Sequence, residues 1–110
     1  MRPESGETNP YYAVIFTSRR TEGDRGYEDT AARMLELAGR MEGFLGVDSV
    51  REGRDGVTVC YWRDLEDIRR WKAETEHVEA QRKGRTLWYE SYRVRICRVE
   101  REYGLGACRT

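Results

Sequence analysis

Residues 11–18, YYAVIFTS, restrict the fold of this chain more than any other segment. The run is β-branched and aromatic, which marks a strand, and both of its alternating faces are apolar. Tyr11, Ala13 and Ile15 fall on one face and Tyr12, Val14 and Phe16 on the other. A strand wetted on one side alternates apolar with polar residues, so this one reads as covered on both sides. Whatever else the chain builds must supply two covers for it.

The remaining segments supply one. After a polar turn, Tyr27, Ala31, Met34, Leu35, Ala38 and Met41 recur at spacings of three and four, the pattern of one helical face. A helix is expected over about residues 25–42, with Asp24 as its N-cap and Gly43 in a left-handed conformation after its end. FLGVDSVRE (44–52) and GVTVCYWR (56–63) flank a short Gly-containing turn and read as a hairpin. Asp64 opens a second helix with Leu65, Ile68 and Trp71 inward. Its apolar stripe thins beyond Trp71, so a bend or restart is expected near residues 73–76 and a stop at Gly84. The last strand is expected over 87–101, where Tyr92, Val94 and Ile96 alternate on one face.

The element order is therefore β-α-β-β-α-β, an α+β class, in one domain of residues 11–101. Residues 1–10, with both prolines, read as a flexible leader and 102–110 as a tail. Two helices cover one face of a four-stranded sheet. The economical cover for the other is a second copy, giving a homodimer that pairs sheet against sheet.

Composition removes several function classes. Twenty basic residues balance twenty acidic ones and the signs are interspersed, so neither nucleic acid nor a membrane surface is an expected partner. Cys60, Cys97 and Cys108 are odd in number with no CxxC, which reads as reduced thiols. No apolar run reaches the length of a membrane span, and the first ten residues lack a signal-peptide core, so a cytoplasmic location is expected. There is no GxGxxG, P-loop or HExxH pattern, and no flavin, nicotinamide or metal cofactor is expected.

With that element order, the segments EGFLGVDSVRE, CYW, DLEDIRRWK and EHVEAQRKGR resemble the antibiotic-biosynthesis monooxygenase superfamily, over about residues 11–101. The resemblance implies a ferredoxin-like domain dimerising through its sheets into an α+β barrel. It also implies a pocket between helices and sheet. Activities in the superfamily include cofactor-free oxidation of aromatic polyketide-type molecules by O2, quinol oxidation, and haem binding and degradation. Haem-degrading relatives place a ligating histidine about ten residues after the helix tryptophan, where this chain has Gln81. They also carry an asparagine on the first strand, which YYAVIFTS lacks. Haem is accordingly disfavoured.

Oxygenation without a cofactor asks for a base, a dry aromatic cavity and a donor for the developing oxyanion. His77 is the only histidine and the candidate base; the competing reading is an exposed residue between Glu76 and Glu79 on a charged helix. Trp62, Trp71, Trp88 and Phe16 are candidate walls for a flat aromatic ligand, against the competing reading of plain core packing. Tyr92 and Arg85, with Arg82 as another choice, are candidates to steady the anion. The expected function is oxidation of a small aromatic or quinol-type molecule by O2. The alternative is a non-catalytic ligand-binding dimer, a stress protein for which haem is one conceivable ligand.

Overall fold

The computed structural model describes residues 10–106. The elements run β1 Tyr11–Arg20, α1 Tyr27–Arg40, β2 Phe44–Glu52, β3 Asp55–Trp62, α2 Leu65–Ala73, α3 Thr75–Lys83, a π-turn at Gly84–Trp88, and β4 Tyr89–Val99. The four strands form one sheet in the order β2-β3-β1-β4, with every neighbouring pair antiparallel. This is the ferredoxin-like arrangement, in which each helical crossover returns past an inserted strand.

β1 is central, flanked by β3 and β4, and this position explains its two apolar faces. Tyr12 and Val14 pack towards the helices around a core of Ala38, Trp62 and Ile68, which Met41, Phe44, Cys60 and Trp71 complete. On the opposite face Ala13, Ile15 and Thr17 lie in register with Tyr61, Val59 and Val57 of β3. Ala13 is only 6% exposed there, while Val57 at 37% and Val50 at 70% stand open.

Several boundaries differ from the sequence expectation. α1 begins at Tyr27 because Arg25 and Gly26 take left-handed conformations. Asp24 still caps, but across that turn: its carboxylate accepts from the Gly26 and Glu28 backbone N–H groups at 3.0 and 3.2 Å. Gly43 is left-handed as expected, and a second constraint acts on it. A Cβ there would stand 2.0 Å from the Asp67 carboxylate.

The second helical region breaks at Glu74, inside the expected window, into α2 and α3. Glu74 leaves the helical conformation and its side chain accepts from the His77 backbone N–H at 2.9 Å, capping α3. Gly84 does not stop the helix. It stays helical and leads into the π-turn, so the last strand starts at Tyr89 rather than 87, and it ends at Val99 rather than 101. The expected leader, apart from Pro10, lies outside the described residues, as does Cys108.

Candidate functional site

β3 delivers Trp62 to the junction with α2, where it is fully buried. Phe44 meets it edge-on at 5.2 Å, and Trp71 from α2 stacks on it at 6.1 Å. The His77 ring from α3 then stacks on Trp71 at 4.1 Å, tilted by 14°. A continuous ladder Phe44–Trp62–Trp71–His77 thus ends in the chain's only imidazole. The break at Glu74 makes this possible, because it lets α3 fold back far enough for residue 77 to lie over residue 71.

His77 is half-buried, and its protonation follows from its contacts. Nδ1 lies 2.9 Å from the Trp71 carbonyl oxygen. A carbonyl only accepts, so Nδ1 carries the hydrogen, and the neutral ring keeps its lone pair on Nε2. Burial holds the pKa below the ordinary 6.5; the Trp71 carbonyl and Glu74 act in the opposite direction without overcoming it. Near neutral pH the ring is therefore uncharged and can accept a proton at Nε2. Gln81, one turn further along α3, lies 3.4 Å from Nδ1 and bonds the Lys72 carbonyl at 3.3 Å.

A buried carboxylate braces the start of this ladder. Asp67 is 0% exposed, and its oxygens accept from Arg63 at 3.0 and 3.1 Å and from Arg70 at 2.7 Å. Burial pushes its pKa up, but the hydrogen bonds from Arg70 and Arg63 outweigh that and hold it below the ordinary carboxylate value. Cys60, beside Trp62 in the core, has its thiol pushed up to about 11 by burial, which leaves it a small hydrophobe.

The other predicted residues gather at the opposite end of the sheet's helix-facing side. Phe16 stacks on Tyr92 at 5.4 Å and meets Tyr89 edge-on at 5.2 Å. Trp88 is 4% exposed, meets Tyr27 edge-on at 5.7 Å and donates its indole N–H to the Arg25 carbonyl at 3.0 Å. Arg85 is exposed on the π-turn, and Arg82 is engaged by Glu79. The predicted set is thus divided: His77, Trp71 and Trp62 lie together, Phe16 and Tyr92 lie together, and no ring contact joins the two groups among the described residues.

Sequence reasoning missed Asp67, Arg51 and the pairing of Tyr27 with Tyr89. The signal for Asp67 was present: an acid three residues after an Asp N-cap and four after Arg63. Tyr27 was legible only as a helix-face residue, since its partners come from four other elements.

One cleft of about 230 Å³ lies between α1 and α3, bordered by Arg33, Met34, Glu76 and Lys83 among others. Another, of about 510 Å³, involves Thr17, Val50, Glu52, Asp55 and Val57, whose alternation puts them on the sheet face away from the helices. His77 lines neither. Among the described residues no group of three His, Cys, Asp or Glu is placed to hold a metal ion, and no helix is long and apolar enough to cross a membrane.

Comparison with known proteins places this geometry. The profile of the antibiotic biosynthesis monooxygenase family matches residues 10–83. The chain is 55% identical over 95 residues to the uncharacterized protein YqjZ of Bacillus subtilis, covering 84% of this chain and 82% of that one. It is 33% identical over 95 residues to a jasmonate monooxygenase of Pyricularia oryzae, covering 80% of this chain but 43% of the longer fungal protein. Among solved structures, SnoaB, a cofactor-independent oxygenase from Streptomyces nogalater, superposes with a TM-score of 0.67 at 17% identity, over 91% of this chain and 100% of that one. Rv0793 from Mycobacterium tuberculosis superposes with a TM-score of 0.75 at 14% identity, over 87% and 100%. At such identities these two likenesses speak for the fold alone, whereas the profile match spans most of the sheet and all but the end of the helical region. The chain belongs to the antibiotic biosynthesis monooxygenase family.

Proposed function

We propose that this protein oxidises a small phenol or quinol-type molecule with O2 and without a bound cofactor, using His77 as the base. The observation that carries this reading is the placement of His77: half-buried, stacked on Trp71, its Nδ1–H committed to the Trp71 carbonyl, so that Nε2, without a partner among the described residues, is left to accept a proton. The monooxygenase names of the family and of the fungal relative agree with it.

Triplet O2 reacts slowly with closed-shell molecules, so the substrate must first become electron-rich. Nε2 takes the proton of the substrate hydroxyl, and the resulting anion gives an electron to O2. For a hydroquinone the balance closes as the quinone, with its two hydrogens leaving on O2 as hydrogen peroxide; for a phenol bearing an activated CH2 group it also closes without another reductant. The carbon becomes a carbonyl with one oxygen atom, and its two hydrogens leave with the other oxygen as water. The stacked indole of Trp71 supplies an aromatic, water-poor flank for the base. Tyr92 and Arg85, expected from the sequence as anion donors, come from β4 and the π-turn rather than from the ladder, and this reading gives them no part in the His77 step.

Oxygen-electrode assays on chelator-treated protein with a panel of phenols and hydroquinones test this. Uptake with at least one of them is expected, falling about 100-fold in His77→Ala. Unchanged uptake in His77→Ala, or uptake only after flavin or metal is added, would contradict it. The alternative, a non-catalytic binding protein, would show saturable binding and no oxygen consumption in either form.

The open sheet face is the proposed seat of a second copy. Val50, Val57 and Ile15 would be covered there, meeting the demand that two-sided β1 makes. Sedimentation equilibrium should give a dimer that Val57→Arg dissociates; a wild-type monomer at micromolar concentration would remove this part of the reading.

A further inference from the structure

At the end of the helix-facing side remote from Trp62 lies a second set of polar groups that the His77 chemistry does not use. Strand register puts Tyr92, Ser18, Gly56 and Arg51 in one row across all four strands. Gly56 contributes no side chain, and the Arg51 guanidinium fills the space above it: a Cβ on Gly56 would stand 2.4 Å from Arg51 Nη2. From there Arg51 donates to the Tyr27 phenol oxygen at 3.3 Å and to the Arg54 carbonyl at 3.1 Å. Tyr89 donates to the same Tyr27 oxygen at 3.3 Å.

This leaves a surplus of donors. The Tyr27 oxygen already accepts two hydrogen bonds, so its own proton must be given away, and no described residue takes it. Ser18 Oγ, in the same row, is buried without a partner. So is Nε of Arg20, whose guanidinium lies 3.7 Å above the Tyr27 ring. Charge has the same sign. Among the described residues no carboxylate comes within ion-pair distance of Arg51, whereas Arg20 forms a long ion pair with Asp24 at 4.0 Å. Buried donors without acceptors, beside an Arg51 guanidinium that no described carboxylate pairs, favour an anionic oxygen. Phe16 and Tyr89 provide an aromatic wall beside the row, and Tyr92, 40% exposed, opens it to solvent.

We propose that the row Tyr92–Ser18–Gly56–Arg51, with Tyr27 above it, is a binding subsite for the anionic oxygen of a planar aromatic ligand, a phenolate. Arg51 is exposed and held by two neutral acceptors, so it is the group that shifts to receive the oxygen. The subsite is independent of whether His77 is a base.

Equilibrium titration of the full chain with 4-nitrophenolate, and with nitrobenzene as the neutral counterpart, tests the proposal. Wild type should bind the phenolate at least about tenfold more tightly than nitrobenzene. Tyr27→Phe, which keeps the ring and removes only the hydroxyl, and Arg51→Ala should each remove most of that preference and leave nitrobenzene binding unchanged. His77→Ala should retain it. Equal binding of the two probes, binding of neither, or a preference that survives both substitutions would overturn the proposal. Loss of the preference in His77→Ala instead would place the anion at the ladder and overturn it equally. Oxygen uptake, read separately on the His77 variants, distinguishes failure of this subsite from failure of the proposed reaction.

Discussion

The helix-facing side of the sheet has two ends, and they are built from different materials. At one, Trp62 and Asp67 are fully buried, and the polar groups that hold it together are paired: Asp67 with Arg63 and Arg70, the His77 Nδ1–H with a carbonyl. At the other, six residues back along β3 and so about 20 Å away, hydroxyls and guanidinium groups outnumber their acceptors, and Ser18 and Arg20 carry buried atoms with none. The first end is dry and over-determined, suited to fixing one imidazole in one tautomer. The second is under-satisfied, which is the condition for receiving a ligand. Stability should therefore depend on the first end and ligand selectivity on the second.

The largest effect should come from the ladder. Trp62→Ala empties the centre of the core and should cost about 3–5 kcal/mol in denaturant unfolding. A loss under about 1 kcal/mol would erase the contrast between the ends. Asp67→Ala should come next, at about 2–4 kcal/mol, because it removes the acceptor for two guanidinium groups. Those groups are half-exposed, and this keeps the cost below that of a wholly buried pair. Gly43→Ala tests the same brace from the other side, since the added methyl both strains a φ of +88° and displaces the carboxylate.

The near-neutral part of the pH dependence of stability should also map to the ladder. His77 and Asp67 both have folded pKa values below their ordinary 6.5 and 3.8. For a lowered pKa the unfolded chain binds the proton first, so stability is full above the ordinary value and falls as pH drops towards the folded one. Declines are expected from His77, beginning near pH 6.5, and at more acid pH from Asp67 together with the exposed ion-paired Glu76 and Glu79, whose ordinary value is 4.5. His77→Gln should remove the first and leave the second. The smallest effect belongs to the polar end: Tyr27→Phe should change unfolding free energy by less than about 1 kcal/mol, even where it abolishes phenolate preference.

The sequence made the dry end readable and concealed the polar one, for a physical reason. Trp62, Ile68 and Trp71 follow the periods of their own elements, and Asp64 and the thin stripe after Trp71 announced the cap and the break at Glu74. The two apolar faces of residues 11–18 likewise marked a strand expected to be covered on both sides; its central place between β3 and β4 came only from the register. Tyr27, Ser18, Arg51 and Tyr89 belong to four elements, and only strand register and the missing side chain at Gly56 bring them together. The stacking of His77 on Trp71 was hidden for a related reason. A separation of six residues is not a helical contact and becomes one only when the helix breaks between them. The π-turn at Gly84 was unreadable because its backbone stays helical where a glycine ordinarily ends a helix.

The protonation state of His77 is the point on which the account turns, and the chain's single histidine makes it directly observable. Imidazole 15N shifts recorded from about pH 5 to 8 should show the hydrogen on Nδ1, an unprotonated Nε2 at neutral pH, and a titration midpoint below 6.5. A hydrogen on Nε2, or a midpoint at or above 6.5, would contradict it.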